Sequence, residues 1–280
     1  METNTVIETL VEERDSIFFE AFKDLEEKRK KAVYAVFAYY QTAQDAIEKD
    51  GDLEKLQTIK KNIKDTFDGQ VPKEPLYEAL YEAIMAYPTT ITPYMELLDA
   101  LRDDHYDKPI ETEKDLDDYL TKAGGSLGLM LAPILAHKSY KDNLKKVKAL
   151  GQAMGQAFEL TQILRNVRDD LIDHRIYFSK ETIEHHKVRI TTLRTGMVTS
   201  EYRSMMEFYI EKAKALYESF QKLSEHLDEE TKYHTMLLMQ MYEGLLDEIR
   251  KGGYANITKR YRLSKLRMFF LKRKLKSRLK

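Results

Sequence analysis

Apolar residues recur at the three- to four-residue spacing of α-helices along almost the whole chain. No stretch of strict apolar alternation is long enough to predict a strand. Turn-forming Gly, Pro and Asp residues separate the periodic segments, and there is neither a long linker nor an internal repeat. We therefore expect one all-α domain over residues 1–280. Helices are predicted at residues 5–24, 30–49, 52–67, 74–87, 92–104, 113–136, 141–173, 198–228, 230–251 and 256–278.

Two of these helices are apolar over so much of their surface that they should be buried. Residues 31–48 are apolar nearly all round, and residues 149–164 form a broad apolar surface. Each helix runs directly into a polar cluster, at 44–48 and at 166–173. Acids at the mouth of an apolar interior suit a ligand with an apolar tail and an anionic head. A plain helical core with solvated acidic ends explains the same pattern.

Composition and segment lengths favour a cytoplasmic protein. The chain has no Cys, which excludes disulfides and thiol chemistry and fits a reducing compartment. The acidic start of the sequence lacks the basic residues of a signal peptide. The longest uncharged run, residues 123–137, is shorter than the roughly 20 residues that a transmembrane helix needs.

The net charge of −1 is unevenly distributed. Residues 259–280 hold 11 Lys and Arg and no acid, which predicts an anionic partner. The basic C-terminal tail, residues 266–280, also contains apolar residues, so we expect weak peripheral contact with an anionic membrane, chiefly through 272–280. Aromatic residues are not interleaved with the charges as in nucleic-acid-binding surfaces, so no nucleic acid is expected as a partner.

The densest cluster of chemically useful side chains lies in residues 163–179. On a helix, Asn166 and Asp170 share a face, and Asp173 follows one turn on. Asp169 lies ~100° around the helix from Asp170. Clustered carboxylate and amide oxygens are the ligands that Mg²⁺ takes when it also holds a substrate diphosphate. The spacing therefore predicts a site for Mg²⁺ and a diphosphate.

Residues 163–179, which contain the run Arg-Ile-Tyr-Phe-Ser, resemble the second aspartate-rich motif of the squalene, dehydrosqualene and phytoene synthase family. Three further parts of the chain are similar to segments of the family and occur in the family's order. They are residues 29–40, residues 119–130, and residues 246–254 with 259–265. The resemblance implies an isoprenoid synthase-like helical bundle around a deep apolar cavity. Members of the family join two prenyl diphosphates head to head, and two aspartate-rich motifs bind the Mg²⁺ that holds both diphosphates.

The first aspartate-rich motif departs from the family pattern. The family has Asp-Asp-x-x-Asp, whereas residues 44–48 read Gln-Asp-Ala-Ile-Glu, and Gln41 replaces a diphosphate-binding arginine. Residues 17–19, Ile-Phe-Phe, replace a Ser-Phe-Ser element, and Glu159 and Gln162 replace a Gln and an Asn. A neutral amide weakens Mg²⁺ binding, and Gln cannot reproduce a bidentate arginine. We therefore predict that two diphosphates cannot be held productively together.

The retained second motif then predicts a Mg²⁺-dependent phosphatase that converts a prenyl diphosphate, farnesyl diphosphate in particular, to the prenyl alcohol. Mg²⁺ and cationic side chains stabilise the charge that develops on a leaving diphosphate. The alternative is a head-to-head prenyl synthase that tolerates the unusual first motif. A second alternative is a non-catalytic prenyl-lipid binding protein. The protein is expected to be a monomer.

The resemblance also assigns roles to individual residues. The predicted catalytic residues are Asp170, Asn166 and Arg165. The predicted Mg²⁺ ligands are Asn166, Asp170, Asp169 and Asp173, with Asp45 and Glu48 as weaker candidates at what is equally a solvated helix end. The residues predicted to bind the substrate are Arg168, Arg175, Tyr242, Lys259, Arg260, Phe18, Phe22 and Phe37. The three phenylalanines are equally well explained as ordinary core aromatics.

Overall fold

The helical periodicity is confirmed by the computed structural model, which describes residues 3–48, 51–106 and 108–278, and the side chains of all of these except 3, 4 and 48. No strand occurs in these ranges. The helices are α1 (Thr3–Arg14), α2 (Ser16–Phe22), α3 (Glu27–Glu48), α4 (Leu53–Phe67), α5 (Pro75–Ala86), α6 (Thr92–His105), α7 (Glu113–Lys122), α8 (Gly124–Leu135), α9 (His137–Tyr140), α10 (Leu144–Ile172), α11 (Lys180–His185), α12 (Ile190–Leu193), α13 (Ser200–Leu223), α14 (Glu229–Lys251) and α15 (Lys265–Arg278).

The first predicted helix, 5–24, is divided at Asp15. This residue has an extended backbone, and its carboxylate accepts hydrogen bonds from the backbone N–H groups of Ile17 (2.9 Å) and Phe18 (3.0 Å). Asp is a preferred N-cap residue because its side chain satisfies N–H groups that have no partner in the first helical turn. The cap therefore starts α2 where periodicity alone predicted an uninterrupted helix.

The long helix α10 packs against α8 so closely that the two backbones touch. Gly124 and Gly128 of α8 lie opposite Gly155 and Gly151 of α10. A Cβ atom at any of these four positions would overlap a backbone carbonyl of the opposite helix. Only glycine permits such an approach. The two α8 glycines thus position α10, whose C-terminal end carries the second aspartate-rich motif.

Helices α3 and α10 contribute to one continuous hydrophobic core. Residues 32–40 of α3 are all buried, in agreement with the apolar surface predicted for this helix. Helix α3 packs against α5, α6 and α8, and α10 packs against α8, α13 and α14. The polar ends of α3 and α10 line the same cavity, which is described below.

The segment that follows α10 is anchored by a partly buried polar network around Glu113 of α7. The carboxylate of Glu113 accepts hydrogen bonds from the hydroxyls of Ser179 (2.5 Å) and Thr182 (2.6 Å). Lys212 of α13 lies 2.7 Å from the same carboxylate. Burial opposes ionisation, but Lys212 and the hydroxyl donors lower the pKa of Glu113 on balance. The Ser of the Arg-Ile-Tyr-Phe-Ser run therefore fixes a loop, and it also caps α11.

The predicted helix 256–278 is only partly present. Residues Ala255–Ile257 form a 3₁₀ turn, and the chain is non-helical from there to the start of α15. The buried side chain of Asn256 donates a hydrogen bond to the carbonyl of Leu164 in α10 (2.7 Å) and accepts one from the hydroxyl of Tyr202 (2.9 Å). These bonds hold the C-terminal segment against α10 beside the second aspartate-rich motif.

The predicted C-terminal tail is part of the folded body as far as it is described. Leu271 and Leu275 of α15 are buried, and the ammonium group of Lys272 lies 2.7 Å from the carboxylate of Glu20 in α2. Residues 272–278 are therefore the end of a packed helix and not a separate tail, and residues 279 and 280 lie outside the described ranges. Weak membrane contact through this segment stays a prediction. No helix in the described chain is both long enough and apolar enough to span a bilayer.

Candidate active site

The polar ends of α3 and α10 line a cavity of about 270 Å³. Its wall also includes residues from the α1–α2 junction, the loop after α10 and the C-terminal segment. The lining residues are Arg14, Asp15, Tyr40, Gln41, Gln44, Asp45, Tyr119, Glu159, Gln162, Ile163, Arg165, Asn166, Asp169, Asp170, Asp173, Arg175, Tyr177 and Arg260. Both aspartate-rich segments, which are far apart in the sequence, therefore contribute to one site.

All four ligands predicted at the end of α10, namely Asn166, Asp169, Asp170 and Asp173, line this cavity. Within the described residues, no group of three or more acidic, histidine or cysteine side chains is placed to hold a metal ion. Mg²⁺ usually takes only one or two carboxylates and completes its octahedron with water and substrate phosphates. The donor set therefore fits a Mg²⁺ ion that the protein and a diphosphate hold together.

The first aspartate-rich segment presents mainly neutral or paired groups to the cavity. The carboxylate of Asp45 forms an ion pair with Arg14 of α1. The amide oxygen of Gln44 accepts a hydrogen bond from the amide of Gln41 (3.1 Å). The side chain of Glu48, the other weak ligand candidate, lies outside the described part of the chain. This segment is thus a poorer source of metal ligands than the end of α10.

Arginines from separate parts of the chain bring positive charge to the cavity. The buried guanidinium of Arg165 lies 3.7 Å from the carboxylate of Asp15 and donates to the side-chain oxygen of Asn166 (3.3 Å). Arg175 donates to a backbone carbonyl near the end of α3 (3.2 Å). Desolvation and the neighbouring Arg165 lower the pKa of Arg260, although the residue is exposed. A bound diphosphate would offset the repulsion between these cations and accept their hydrogen bonds.

A chain of hydrogen bonds links the first aspartate-rich segment to a buried acid of α10. The amide of Gln44 donates to the hydroxyl of Tyr40 (2.9 Å), and that hydroxyl donates to the carboxyl of Glu159 (2.6 Å). Burial raises the pKa of Glu159 to about 7, although the bond from Tyr40 acts in the opposite direction. The charge on this wall of the cavity therefore changes near neutral pH.

A second cavity of about 230 Å³ adjoins the first. The two cavities share Arg14, Asp15, Arg165 and Arg260 in their walls. The second is also lined by Ile17 at the start of α2 and by Arg262 and Leu263 of the C-terminal segment. Glu12, Glu13 and the shared Asp15 also line the second cavity, so each cavity combines arginines, which can bind a diphosphate, with carboxylates.

Two of the predicted substrate-binding cations lie away from the first cavity. Arg168 is exposed, with its guanidinium 3.9 Å from the carboxylate of Asp169. It is two positions from both Asn166 and Asp170, and two positions correspond to ~200° around a helix, so it projects away from their face. Lys259 is also exposed, and its ammonium group lies 4.8 Å from the ring centroid of Tyr261.

The aromatic residues predicted to bind the prenyl chain are buried in the core. The rings of Phe18 and Phe37 stack with their centroids 3.8 Å apart, and Phe22 lies 5.1 Å from Phe18. The ring of Tyr242 meets Phe158 edge to face at 4.8 Å. None of the four predicted side chains lines either polar cavity. Their burial fits both a packed core and an apolar wall for a prenyl chain, so binding of the prenyl chain by these residues stays a prediction.

Several cavity residues were not predicted from the sequence, namely Arg14, Asp15, Tyr40, Tyr119 and Tyr177. Tyr119 and Tyr177 donate hydrogen bonds to the carboxyl of Asp104, at 3.0 and 3.4 Å. Burial raises the pKa of Asp104 to about 7. Periodicity does not single out such tyrosines, because a cavity wall and a packed core have the same apolar pattern. Tyr119 and Tyr177 lie inside segments 119–130 and 163–179, which resemble the family, and this position is the sequence signal that could have identified them as site residues.

The family model that matches this chain is described as squalene/phytoene synthase, and it matches residues 11–267. The chain belongs to the squalene/phytoene synthase family. The matched range includes every residue that lines the two cavities, from Glu12 in α1 to Leu263 before α15. The family resemblance of the two aspartate-rich segments is therefore confirmed.

Relatives in this family are synthases by name. The 4,4'-diapophytoene synthase of Staphylococcus haemolyticus is 28% identical over 271 residues, which cover 94% of this chain and 92% of that protein. The chloroplastic phytoene synthase of Daucus carota is 27% identical over 83% of this chain, which spans only 60% of that relative. A crystal structure of a dehydrosqualene synthase in complex with ligand superposes with a TM-score of 0.93 at 27% identity, covering 99% of this chain and 96% of that one.

The prediction of a prenyl diphosphate phosphatase is wrong. The relatives are named as diapophytoene and phytoene synthases, which supports an enzyme of this fold and favours the alternative of a head-to-head synthase. The sequence argument treated the missing arginine at 41 and aspartate at 44 as the loss of a diphosphate position. The tertiary structure places Arg14, which that argument did not consider, in the same cavity as the predicted Arg260.

Proposed function

We propose that this protein joins two prenyl diphosphates head to head, in the manner of a diapophytoene or dehydrosqualene synthase. The observation that carries the proposal is the pair of adjoining cavities, of about 270 and 230 Å³, with Arg165 and Arg260 common to both. The shared arginines would bind the two diphosphates side by side, and Mg²⁺ held by the carboxylates would offset the negative charge of the lining. The names of the relatives support farnesyl diphosphate as the substrate and a C30 hydrocarbon as the product.

Two bound substrates turn the coupling of two molecules into a step within one complex. One allylic C–O bond breaks and releases diphosphate, and the double bond of the second substrate attacks the resulting carbon. Loss of a proton gives a cyclopropyl intermediate that retains the second diphosphate. Release of that diphosphate, rearrangement and a second proton loss give the hydrocarbon. The sum is two diphosphates and two protons released per C30 molecule, with no reductant needed.

The charged groups of the cavity have distinct parts in this reaction. Arg165, Arg175 and Arg260 would donate hydrogen bonds to diphosphate oxygens, which stabilises the charge that develops as each C–O bond breaks. The oxygens of Asn166 and Asp170 would hold Mg²⁺. Magnesium, when bound, neutralises diphosphate charge and orients the leaving group. These assignments use only groups that line the first cavity.

The unusual first aspartate-rich segment is compatible with this proposal. Asp45 is paired with Arg14, and Gln41 and Gln44 are neutral, so this wall carries little net negative charge. A wall of that kind repels a diphosphate less than a set of unpaired carboxylates and depends less on metal ions to neutralise it. Arginines then carry a larger share of diphosphate binding than they would beside three aspartates.

The direct test is incubation of the full-length protein with radiolabelled farnesyl diphosphate and Mg²⁺, followed by solvent extraction and separation of the products. We expect a C30 hydrocarbon and two diphosphates released per hydrocarbon, with both lost when a chelator is added. Geranylgeranyl diphosphate in a parallel assay tests the preference for chain length. Farnesol as the main product would contradict the proposal. Tight retention of unchanged substrate would support the prenyl-lipid binding alternative instead.

A further inference from the structure

The C-terminal helix α15 carries an exposed apolar patch, which consists of Leu266, Phe269 and Phe270. Their exposed fractions are 65%, 56% and 53%. The other side of the same helix is buried through Leu271 and Leu275, so α15 is packed on one side and presents the patch on the other. The two phenylalanine rings meet edge to face with their centroids 5.9 Å apart. Large apolar side chains grouped in solvent are a feature of interaction surfaces.

The chain segment that carries the patch is positively charged, and of its cations Arg267 is paired with Asp247 and Glu248 of α14. Residues 259–280 contain 11 Lys and Arg and no acid. Arg262 and Lys265 precede the patch, Arg273 follows it by one helical turn, and all three are exposed. An apolar patch with a basic border is complementary to a surface that is apolar inside and anionic outside. An anionic lipid bilayer has this composition, because lipid chains lie beneath negatively charged head groups.

We propose that Leu266, Phe269 and Phe270 dock this protein on an anionic lipid bilayer. Aromatic side chains favour the membrane–water interface, and the basic border adds attraction to the head groups. The patch begins three residues after Leu263, which lines the second cavity with Arg260. Docking therefore brings the polar cavities close to the membrane in which prenyl chains partition. The proposed contact is at residues 266–270, on the N-terminal side of the 272–280 segment that composition indicated, and it does not depend on the proposed reaction.

A tryptophan placed in the patch tests this directly, because the chain contains no Trp and no Cys. Phe269→Trp in the full-length protein introduces a single fluorescent reporter at the predicted contact. With vesicles of phosphatidylglycerol and phosphatidylcholine, we expect the emission of this tryptophan to shift to the blue and to be quenched by brominated lipid chains. Met85→Trp in α5 is the matched control, since Met85 is 65% exposed but lies outside the basic segment.

Co-sedimentation supplies a second measurement. Wild-type protein should bind anionic vesicles at low salt, and the double variant Phe269→Glu/Phe270→Glu should bind at least tenfold more weakly. Binding should fall as salt rises and should be absent with pure phosphatidylcholine, because screening weakens exposed charges. Circular dichroism should show the same helical content in the variant, since both rings are exposed.

Three outcomes would overturn the proposal. One is a Phe269→Trp emission that does not respond to anionic vesicles, or that responds no more than Met85→Trp. Another is unchanged vesicle binding by the folded double variant. The third is a dimer of the wild-type protein, seen by analytical ultracentrifugation without lipid, that the double variant abolishes; the patch would then belong to a contact between two copies of this chain.

Discussion

The hydroxyl of Tyr40 donates a 2.6 Å hydrogen bond to the buried carboxyl of Glu159, and so joins α3 to α10 at the wall of the polar cavity. The same hydroxyl accepts a hydrogen bond from the amide of Gln44. No sequence pattern predicted this contact, because the two residues are 119 positions apart. It places an acid that titrates near neutral pH within two hydrogen bonds of the first aspartate-rich segment.

The Glu159→Gln variant should be stabilised relative to the wild type as the pH rises. Glu159 has an ordinary pKa of 4.5 and a folded-state pKa of about 7, so between these values the folded protein binds more protons than the unfolded chain. The contribution of this group to the free energy of unfolding therefore falls as the pH rises through that window. Glutamine keeps an acceptor for Tyr40 without a charge. Each pKa unit of difference between the folded and unfolded states corresponds to about 1.36 kcal/mol. The variant should therefore gain at most about 3 kcal/mol in free energy of unfolding relative to the wild type.

Urea unfolding of both proteins at pH 5 and pH 8 measures this effect. The stability difference between variant and wild type should be larger at pH 8. Asp104 is present in both proteins, but the charge on Glu159 helps to raise the pKa of Asp104, so the measured difference includes the coupling between these two carboxyls. A difference that is the same at both pH values would mean that Glu159 titrates in the folded protein as it does in the unfolded chain.

Arg165→Gln should weaken substrate binding much more than Arg168→Gln. The two arginines are three positions apart in α10, but Arg165 is buried in the cavity wall, whereas Arg168 is exposed and lies outside it. Hydrogen bonds to charged groups are worth about 1.5–3 kcal/mol, which corresponds to roughly 10- to 100-fold in affinity. Calorimetric titration with a non-hydrolysable farnesyl diphosphate analogue measures this difference. Equal losses in the two variants would remove Arg165 from the substrate site.

Asp170→Asn should lower turnover by about 10²–10³-fold and raise the Mg²⁺ concentration needed for half-maximal activity. The carboxylate lies on the same helix face as Asn166, and an amide in its place lowers the affinity for Mg²⁺. The control is Asp142→Asn, in the exposed segment between α9 and α10. Steady-state assays across a range of Mg²⁺ concentrations make the comparison. Wild-type turnover and Mg²⁺ dependence in Asp170→Asn would place the metal elsewhere.

Gly128→Ala should destabilise the fold, whereas Gly125→Ala should not. A Cβ atom at 128 would overlap the backbone of α10, and overpacking of this kind typically costs about 1–3 kcal/mol. A Cβ atom at 125 would make only ordinary contacts, the closest at 3.5 Å. Alanine also favours a helix over glycine by about 1 kcal/mol, so Gly125→Ala should be neutral or stabilising. Denaturant midpoints of the two variants decide between these outcomes.

The sequence by itself determined the helical class, most helix positions and the two polar segments that meet in the site. Helical periodicity is a local property, since hydrogen bonds and side-chain contacts in a helix connect residues three or four positions apart. The apolar helix 31–48 and the spacing of Asn166 and Asp170 carry this local information. The short helices α11 and α12 were not predicted, because a helix of one or two turns has too few residues to show a period.

Tertiary structure alone decided the charge balance of the site and the course of the C-terminal segment. Arg14 and Arg260 lie near opposite ends of the sequence, yet both line the cavity, so the charge on its wall depends on long-range packing. Long-range packing also determines that the rings of Phe18 and Phe37 stack in the core. Phe269, in contrast, is exposed on helix α15, which composition alone described as a basic tail. Residue type fixes the chemistry that a side chain offers, but its surroundings depend on which distant elements pack against it.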